Sequence, residues 1–353
     1  MESMEKIKVL VVDDSQLFRK LLVTGISADP RIEVTAVAAD PFEARDKILA
    51  TRPDVITCDI EMPRMNGIDF IRQLLPQYFV PVIMVSAISR AVFEALEAGA
   101  VDFIAKPVAP SSREIKSFIS DLVEKIKTAS TIKKFKPGPL SLPGKIPGIK
   151  AGDRNLIIAI GASTGGTEAI YNLLSVLPPS VPGIVIVQHI PPIFSQMFAE
   201  RLDSQTRLNV KEASTGDYVE RGRVLIAPGN RHMRVKRAGE GYQVECLPGK
   251  KVNGHCPSVD VLFKSVAEMA GENAIGILLT GMGSDGAKGL LSIRRRGGRT
   301  IGQDRESSIV YGMPRVAFNI GAVEIQALLE EIPQVLSRIL AGRSVTNGSN
   351  RGN

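Results

Sequence analysis

Three aspartates and a serine stand where side chains of an α/β protein can do chemistry. Asp13 and Asp14 follow the apolar run 9–12, Asp59 follows the run 55–58, and Ser163 follows the run 156–160 within Gly161-Ala162-Ser163-Thr164-Gly165-Gly166. In an open parallel sheet, ligands gather outside the carboxyl ends of the strands, so residues directly after such runs are the candidates for function. Carboxylates at close range repel one another unless a cation neutralises them, and Mg2+ with oxygen ligands is the ordinary solution. One of these aspartates can then accept a phosphoryl group as an acyl phosphate. Lys106 and Ser86, after two further apolar runs, are placed to hold phosphate oxygens.

Ser163 suggests a different chemistry. Its flanking glycines permit a sharp backbone path and close approach of a substrate. The start of the helix that follows offers free N–H groups for an oxyanion. A serine nucleophile needs a base and a group to orient that base. His189 directly follows the run 184–188, and Asp285 lies in Thr280-Gly-Met-Gly-Ser-Asp285-Gly after another buried run. Ser163, His189 and Asp285 are therefore the expected nucleophile, base and orienter, with His232 and His255 as competing bases. Chain order separates this set from the α/β-hydrolase elbow, whose acid precedes its histidine.

Positioning these residues requires strands that end on them. Runs at 9–12, 32–38, 55–58, 81–85 and 102–105 read as strands, alternating with helical spacing at 17–26, 42–49, 68–75, 92–98 and 115–126. Five βα units predict a flavodoxin-like parallel sheet covered on both faces. Prolines 137, 139, 143 and 147 then interleave with glycines 138, 144, 148 and 152, a composition that cannot hold a core. Beyond it, strands at 156–160, 184–188 and 274–280 and helices at 167–177, 193–202, 259–270 and 287–296 predict a second, doubly wound parallel α/β domain. The stretch 224–246 reads as a small β element, and 328–340 as a closing helix that Pro333 confines or interrupts. The expected organisation is a first domain at 1–128, a linker at 129–152, a catalytic domain at 153–343 and a disordered tail at 344–353.

The chain of 353 residues suits roughly two domains of 100 to 200 residues. No apolar run approaches the roughly 20 residues of a membrane helix, and the charged start is unlike a signal peptide, so a cytoplasmic protein is expected. Three cysteines, Cys58, Cys246 and Cys256, make neither a disulfide framework nor a paired zinc motif. The net charge of +7 is accounted for by Lys133, Lys134, Lys136, Lys145 and Lys150 in the linker with Arg343 and Arg351 in the tail. That distribution, with no helix-turn-helix after residue 152, speaks against a nucleic-acid groove. A nucleotide site at 161–166 lacks both the Gly-x-Gly-x-x-Gly pattern and a P-loop lysine.

Val-Val-Asp13-Asp14-Ser15, Asp59-Ile-Glu61-Met-Pro63-Arg-Met-Asn-Gly67, Ser86 and Lys106-Pro107 together resemble the response-regulator receiver domain over residues 6–128. The resemblance implies Asp59 as phosphoacceptor. It implies Asp14, Asp59 and the Glu61 main-chain carbonyl as Mg2+ ligands with Asp13 assisting, Phe103 as an aromatic switch, and a cis Lys106–Pro107 bond. Ile160-Gly-Ala-Ser163-Thr-Gly-Gly166, Gln188-His189-Ile-Pro191, Ala227-Pro-Gly, Arg231-His232-Met233, Pro257-Ser-Val-Asp260 and Thr280-Gly-Met-Gly-Ser-Asp285-Gly resemble the CheB family of chemotaxis protein-glutamate methylesterases over about 153–340. In two places the chain departs from that family: the stretch 86–97 is short, and Asn230 stands at a common glycine. The resemblance implies hydrolysis of glutamyl methyl esters on cytoplasmic helices of chemoreceptors, with deamidation of receptor glutamines. It maps catalysis onto Ser163, His189 and Asp285, with the Met282 N–H in the oxyanion hole and no cofactor for ester hydrolysis. The implied partners are methylated chemoreceptors and the histidine kinase CheA as phosphodonor, for a monomer that neither binds nucleic acid nor inserts into a membrane.

Overall fold

A computed structural model describes residues 5–87, 90–108, 111–132 and 155–342, and the chain divides into two compact units at 1–138 and 139–353. From residue 133 the expected linker lies outside the described residues, as does the tail 344–353.

The first unit alternates strand and helix throughout: β1 (Ile7–Val12), α1 (Gln16–Ile26), β2 (Ile32–Ala38), α2 (Pro41–Thr51), β3 (Val55–Cys58), α3 (Gly67–Leu74), β4 (Val82–Ser86), α4 (Ala91–Glu97), β5 (Asp102–Ala105) and α5 (Ser112–Ala129). The strands form one parallel sheet in the order β2-β1-β3-β4-β5, the expected flavodoxin-like arrangement. β3 and β4 are buried along their whole length, which is why they read as continuous apolar runs rather than alternating ones. Side chains start the helices where the sequence leaves turn residues. Asp40 accepts from the Phe42 and Glu43 N–H groups at 2.9 Å, Asn66 from Asp69 N–H at 2.8 Å, and Ser111 with Glu114 closes a capping box. Helix α5 carries the fold to Ala129, and Ile132 beyond it is buried.

The second unit contains β6 (Ile157–Ala162), α6 (Gly166–Ser175), β7 (Gly183–Gln188), α7 (Phe194–Gln205), β8 (Asn209–Glu212), β9 (Arg223–Ile226), β10 (His232–Ala238), β11 (Gly241–Leu247), α8 (Val259–Ala270), β12 (Ala274–Leu278), α9 (Ala287–Arg295), β13 (Arg299–Gln303), α10 (Met313–Asn319), β14 (Ile325–Ala327) and α11 (Ile332–Leu340). Seven parallel strands run in the order β14-β13-β12-β6-β7-β9-β8, with β10 and β11 as a separate antiparallel hairpin. The β-rich middle thus splits between the main sheet and the hairpin. Strands β8, β13 and β14 and helix α10 were not legible as periodic segments. Pro333 occupies the first turn of α11, where its missing N–H costs nothing, so it starts the helix rather than breaking it. The order reverses at β6, whose successor β7 lies on one side and β12 on the other, which makes the carboxyl ends of β6 and its neighbours the crevice of this sheet. No helix among the described residues is long and apolar enough to cross a membrane.

Candidate active site

Register decides what meets at this crevice. Ala162 at the end of β6 pairs with Gln188 at the end of β7, so Ser163 and His189 are the first residues beyond two adjacent strands. The His189 N–H donates to the Ala162 carbonyl at 3.1 Å. The Ser163 backbone is held on both sides: its N–H donates to Thr280 O at 3.0 Å, and its carbonyl accepts from Gly166 N–H at 2.7 Å and the Gln188 amide at 2.9 Å. Gly281 lies so close that a Cβ there would stand 2.6 Å from Ser163 Cβ and 2.5 Å from Met313 Sδ. Gly281→Ala is therefore expected to cost about 1–3 kcal/mol by overpacking. If Ser163 is the nucleophile, it should also lower kcat/KM roughly a hundredfold, because an attacking atom moved by about 1 Å loses its geometry. Thermal unfolding and the initial catalytic rate measure the two effects, and an unchanged rate would refute the second.

Asp285 comes from the loop after β12 and is 1% exposed at its side chain. Its carboxylate caps helix α8: Oδ2 accepts from Val259 N–H at 2.7 Å, and Oδ1 from Asp260 N–H at 3.2 Å and the Ser258 hydroxyl at 2.8 Å. Asn253 Nδ2 donates to Oδ1 at 2.7 Å, and His189 Nε2 lies 2.9 Å from Oδ2. Burial alone would raise the Asp285 pKa, but the His189, Asn253 and Ser258 partners outweigh it and hold the group well below the ordinary carboxylate range. It stays ionised, at the positive end of a helix.

With Nε2 donating to Asp285, His189 Nδ1 is the nitrogen left to accept a proton, and it is buried with no hydrogen-bond partner among the described residues. The structure brings Ser163 and His189 to adjacent strand ends but forms no hydrogen bond between the serine hydroxyl and the ring; such contacts commonly tighten only when substrate binds. Of the competing histidines, His232 is committed elsewhere: Nε2 pairs with Lys250 O at 2.9 Å and Nδ1 accepts from Ser258 N–H at 3.2 Å. His255 stacks on His189 with ring centroids 3.6 Å apart. Met282 is 42% exposed beside Ser163's neighbour Gly281, and its N–H meets no acceptor among the described residues. Asn230 adopts φ 60°, the left-handed region where asparagine is the commonest alternative to glycine. Gln188, Asn253 and Ser258 were not assigned roles from the sequence: Gln188 and Ser258 stand within the quoted motifs, but only the contacts above show what they hold, and Asn253 carries no motif.

In the first unit, β1 and β3 are neighbours with Val12 opposite Cys58, which sets Asp13 beside Asp59. Ligand oxygens of Asp13, Asp14 and Asp59 lie within 4.8 Å of one another. Lys106 Nζ stands 2.7 Å from Asp13 and 2.5 Å from Asp59. Burial raises the Asp59 pKa, and the neighbouring Lys106 only partly offsets this. Burial also works against the Lys106 charge, but its bonds to Asp13 and Asp59 prevail and its pKa rises. Ser86 pairs in register with Ala105, next to Lys106, and its buried hydroxyl has no hydrogen-bond partner among the described residues. Glu61 donates its main-chain N–H to Asp59 at 3.3 Å while its side chain is exposed. Phe103 is buried and packs edge-on against Phe93. Gly67 leaves room for the Asp59 carbonyl, which a Cβ would meet at 2.0 Å. One expectation is corrected here: Lys106–Pro107 is trans, the usual preference of an X–Pro bond, and the cis bond among the described residues is Cys256–Pro257. A hard-oxygen cluster beside an unsatisfied hydroxyl fits Mg2+ and a phosphoryl group.

Comparisons with known proteins find relatives of both units. Residues 158–336 match the family described as CheB methylesterase, and residues 9–117 match the response regulator receiver domain. The chain is similar to protein-glutamate methylesterase/protein-glutamine glutaminase 2 of Syntrophomonas wolfei, 54% identical over 339 residues, covering 96% of this chain and 98% of that protein. A second such enzyme, from Syntrophotalea carbinolica, is 47% identical over 351 residues, with 97% and 99% covered. Among solved structures, the catalytic domain of Thermotoga maritima CheB methylesterase is similar at 36% identity and a TM-score of 0.51, covering 52% of this chain and 98% of that one.

Proposed function

This chain belongs to the CheB methylesterase family, and from that premise we propose that it is a phosphorylation-activated serine esterase acting on glutamyl methyl esters of chemoreceptors. The observation that carries the mechanism is the division of labour on His189, with Nε2 held by ionised Asp285 and Nδ1 left to accept a proton at the strand end beside Ser163. Ser163 Oγ attacks the ester carbonyl carbon while His189 Nδ1 takes the hydroxyl proton. The Met282 N–H stabilises the tetrahedral oxyanion. Collapse breaks the C–O bond to the methoxy group, which leaves as methanol with the proton from His189. Water then gives a proton to His189 and attacks the acyl-enzyme, releasing the glutamate carboxylate and restoring Ser163. With a receptor glutamine the same steps release ammonia, as the glutaminase half of the relatives' names describes for those enzymes.

Receiver domains typically bind Mg2+ for phosphorylation. Here Asp13, Asp14, Asp59 and the Glu61 carbonyl would hold it, and it would neutralise their charge and that of an arriving phosphoryl group. Asp59 accepts the phosphoryl group from the histidine kinase CheA, and Lys106, which pairs with Asp13 and Asp59 in this structure, and Ser86 would bond its oxygens. The protein acts in the cytoplasm as a monomer on methylated chemoreceptors.

The test compares initial methanol release from one methylated receptor with and without acetyl phosphate and Mg2+. Wild type is expected to accelerate and Asp59→Asn to stay at the basal rate, because an amide fills the same space but cannot accept phosphate. Moving a two-state balance from 1:99 to 99:1 needs about 5.5 kcal/mol, whereas one phosphate supplies roughly one to three charge-assisted hydrogen bonds, so activation should be partial. Equal stimulation of Asp59→Asn would overturn the regulatory reading and leave the esterase reading intact.

A further inference from the structure

The turn at 252–255 contributes nothing to the reaction steps above, yet it reaches both the acid and the base. Val252 and His255 exchange main-chain hydrogen bonds at 2.9 and 3.0 Å, and the two residues between them, Asn253 and Gly254, lie at φ 52° and 85°. Two successive left-handed residues make a type I′ turn, for which Asn-Gly is the favoured pair. The turn is therefore locally determined and stiff, and it presents two side chains in fixed relation.

One of them is Asn253, whose amide spans two buried carboxylates, 2.7 Å from Asp285 and 2.9 Å from Asp260. The other is His255, whose ring lies over that of His189 at 3.6 Å with only 8° between the planes. Among the described residues, the His189 ring is tied by a hydrogen bond at one edge only, through Nε2. A histidine ring has a broad torsional well about its Cβ–Cγ bond, so an edge contact alone leaves it free to rock. A flat neighbour at van der Waals distance removes that freedom and keeps water from the face of the His189–Asp285 pair, where a drier surrounding strengthens the bond. Parallel planes also aim the His255 nitrogens alongside the catalytic ring rather than into it, which is the geometry of a support and not of a proton relay.

We propose that the 252–255 turn is a positioning clamp for the catalytic pair, with His255 fixing the plane of His189 and Asn253 fixing the carboxylate of Asp285. This rests on the triad reading above. His255 is a positioning residue, needed for its flat face rather than its proton chemistry.

The experiment measures kcat and KM for methanol release, with thermal unfolding, in full-length wild type, His255→Ala, His255→Phe and His189→Ala. The His255→Ala protein is expected to lose roughly tenfold to a hundredfold in kcat, the scale of a misoriented catalytic group, with KM within about twofold of wild type. His255→Phe restores a flat face without a titrating nitrogen and should recover most of that loss. Unchanged kcat in His255→Ala, with His189→Ala inactive, overturns the clamp and leaves the triad standing. A folded His255→Phe protein as slow as His255→Ala also overturns it, since imidazole chemistry would then be required. Methanol release by His189→Ala at the wild-type rate overturns the triad itself and removes the group to be clamped.

Discussion

Ser163→Ala is expected to leave the protein folded and to reduce methanol release about a million-fold in turnover, roughly 8 kcal/mol of transition-state stabilisation. Folding should survive because the contacts that hold residue 163 are made by its backbone, to Thr280, Gly166 and Gln188, and alanine keeps all of them. A methyl group cannot attack a carbonyl carbon, so the acyl-enzyme route is closed and the remaining rate reflects binding and the oxyanion site alone. Single-turnover methanol release, with the unfolding midpoint measured in parallel, checks both halves. A folded Ser163→Ala protein with near-normal release would refute covalent catalysis at this residue.

Asp285→Asn is expected to lower kcat about ten-thousandfold with a smaller change in KM, because an amide can present a donor to His189 Nε2 and favour the wrong tautomer. It should also destabilise the fold, unlike Ser163→Ala. The native carboxylate accepts from Val259 N–H, Asp260 N–H, Ser258 and Asn253, and an amide nitrogen facing any of them leaves a buried donor unsatisfied. The pH dependence has a defined sign. The folded-state pKa of Asp285 is depressed, so its contribution to stability is present above the unfolded value of about 3.9 and is lost as pH falls below it toward the folded value. Acid unfolding of Asp285→Asn should therefore be less steep below about pH 4 than that of wild type. Identical acid profiles would show that this carboxylate is not held in its charged form by the fold, and kcat within tenfold of wild type would remove Asp285 from the mechanism.

What could be read from the sequence follows from one physical regularity. Parallel strands buried on both faces must be continuous apolar runs, and their ligands gather at their carboxyl ends, so Asp13, Asp59, Ser163 and His189 announced themselves by following β1, β3, β6 and β7. The domain classes came from the same local order, while the family resemblance rested on the identity of motif residues such as Lys106-Pro107 and Gln188-His189. Segments with no such order stayed hidden: β13 is Arg-Thr-Ile-Gly-Gln and β14 has three residues, and each is a strand only because an existing sheet edge offers it hydrogen bonds. The trans bond at Lys106–Pro107 was likewise beyond reach, since the two isomers differ by only about 0.5–1 kcal/mol and surroundings decide. Tertiary structure alone determined which nitrogen of His189 faces Asp285, which histidine stacks on it, and that Asn253 and Ser258 converge on a carboxylate 32 and 27 residues away. Those are contacts between turns distant in the chain, set by strand order and register. Periodicity cannot encode them, because it reports only which face of an element is buried and not what another element brings to its end.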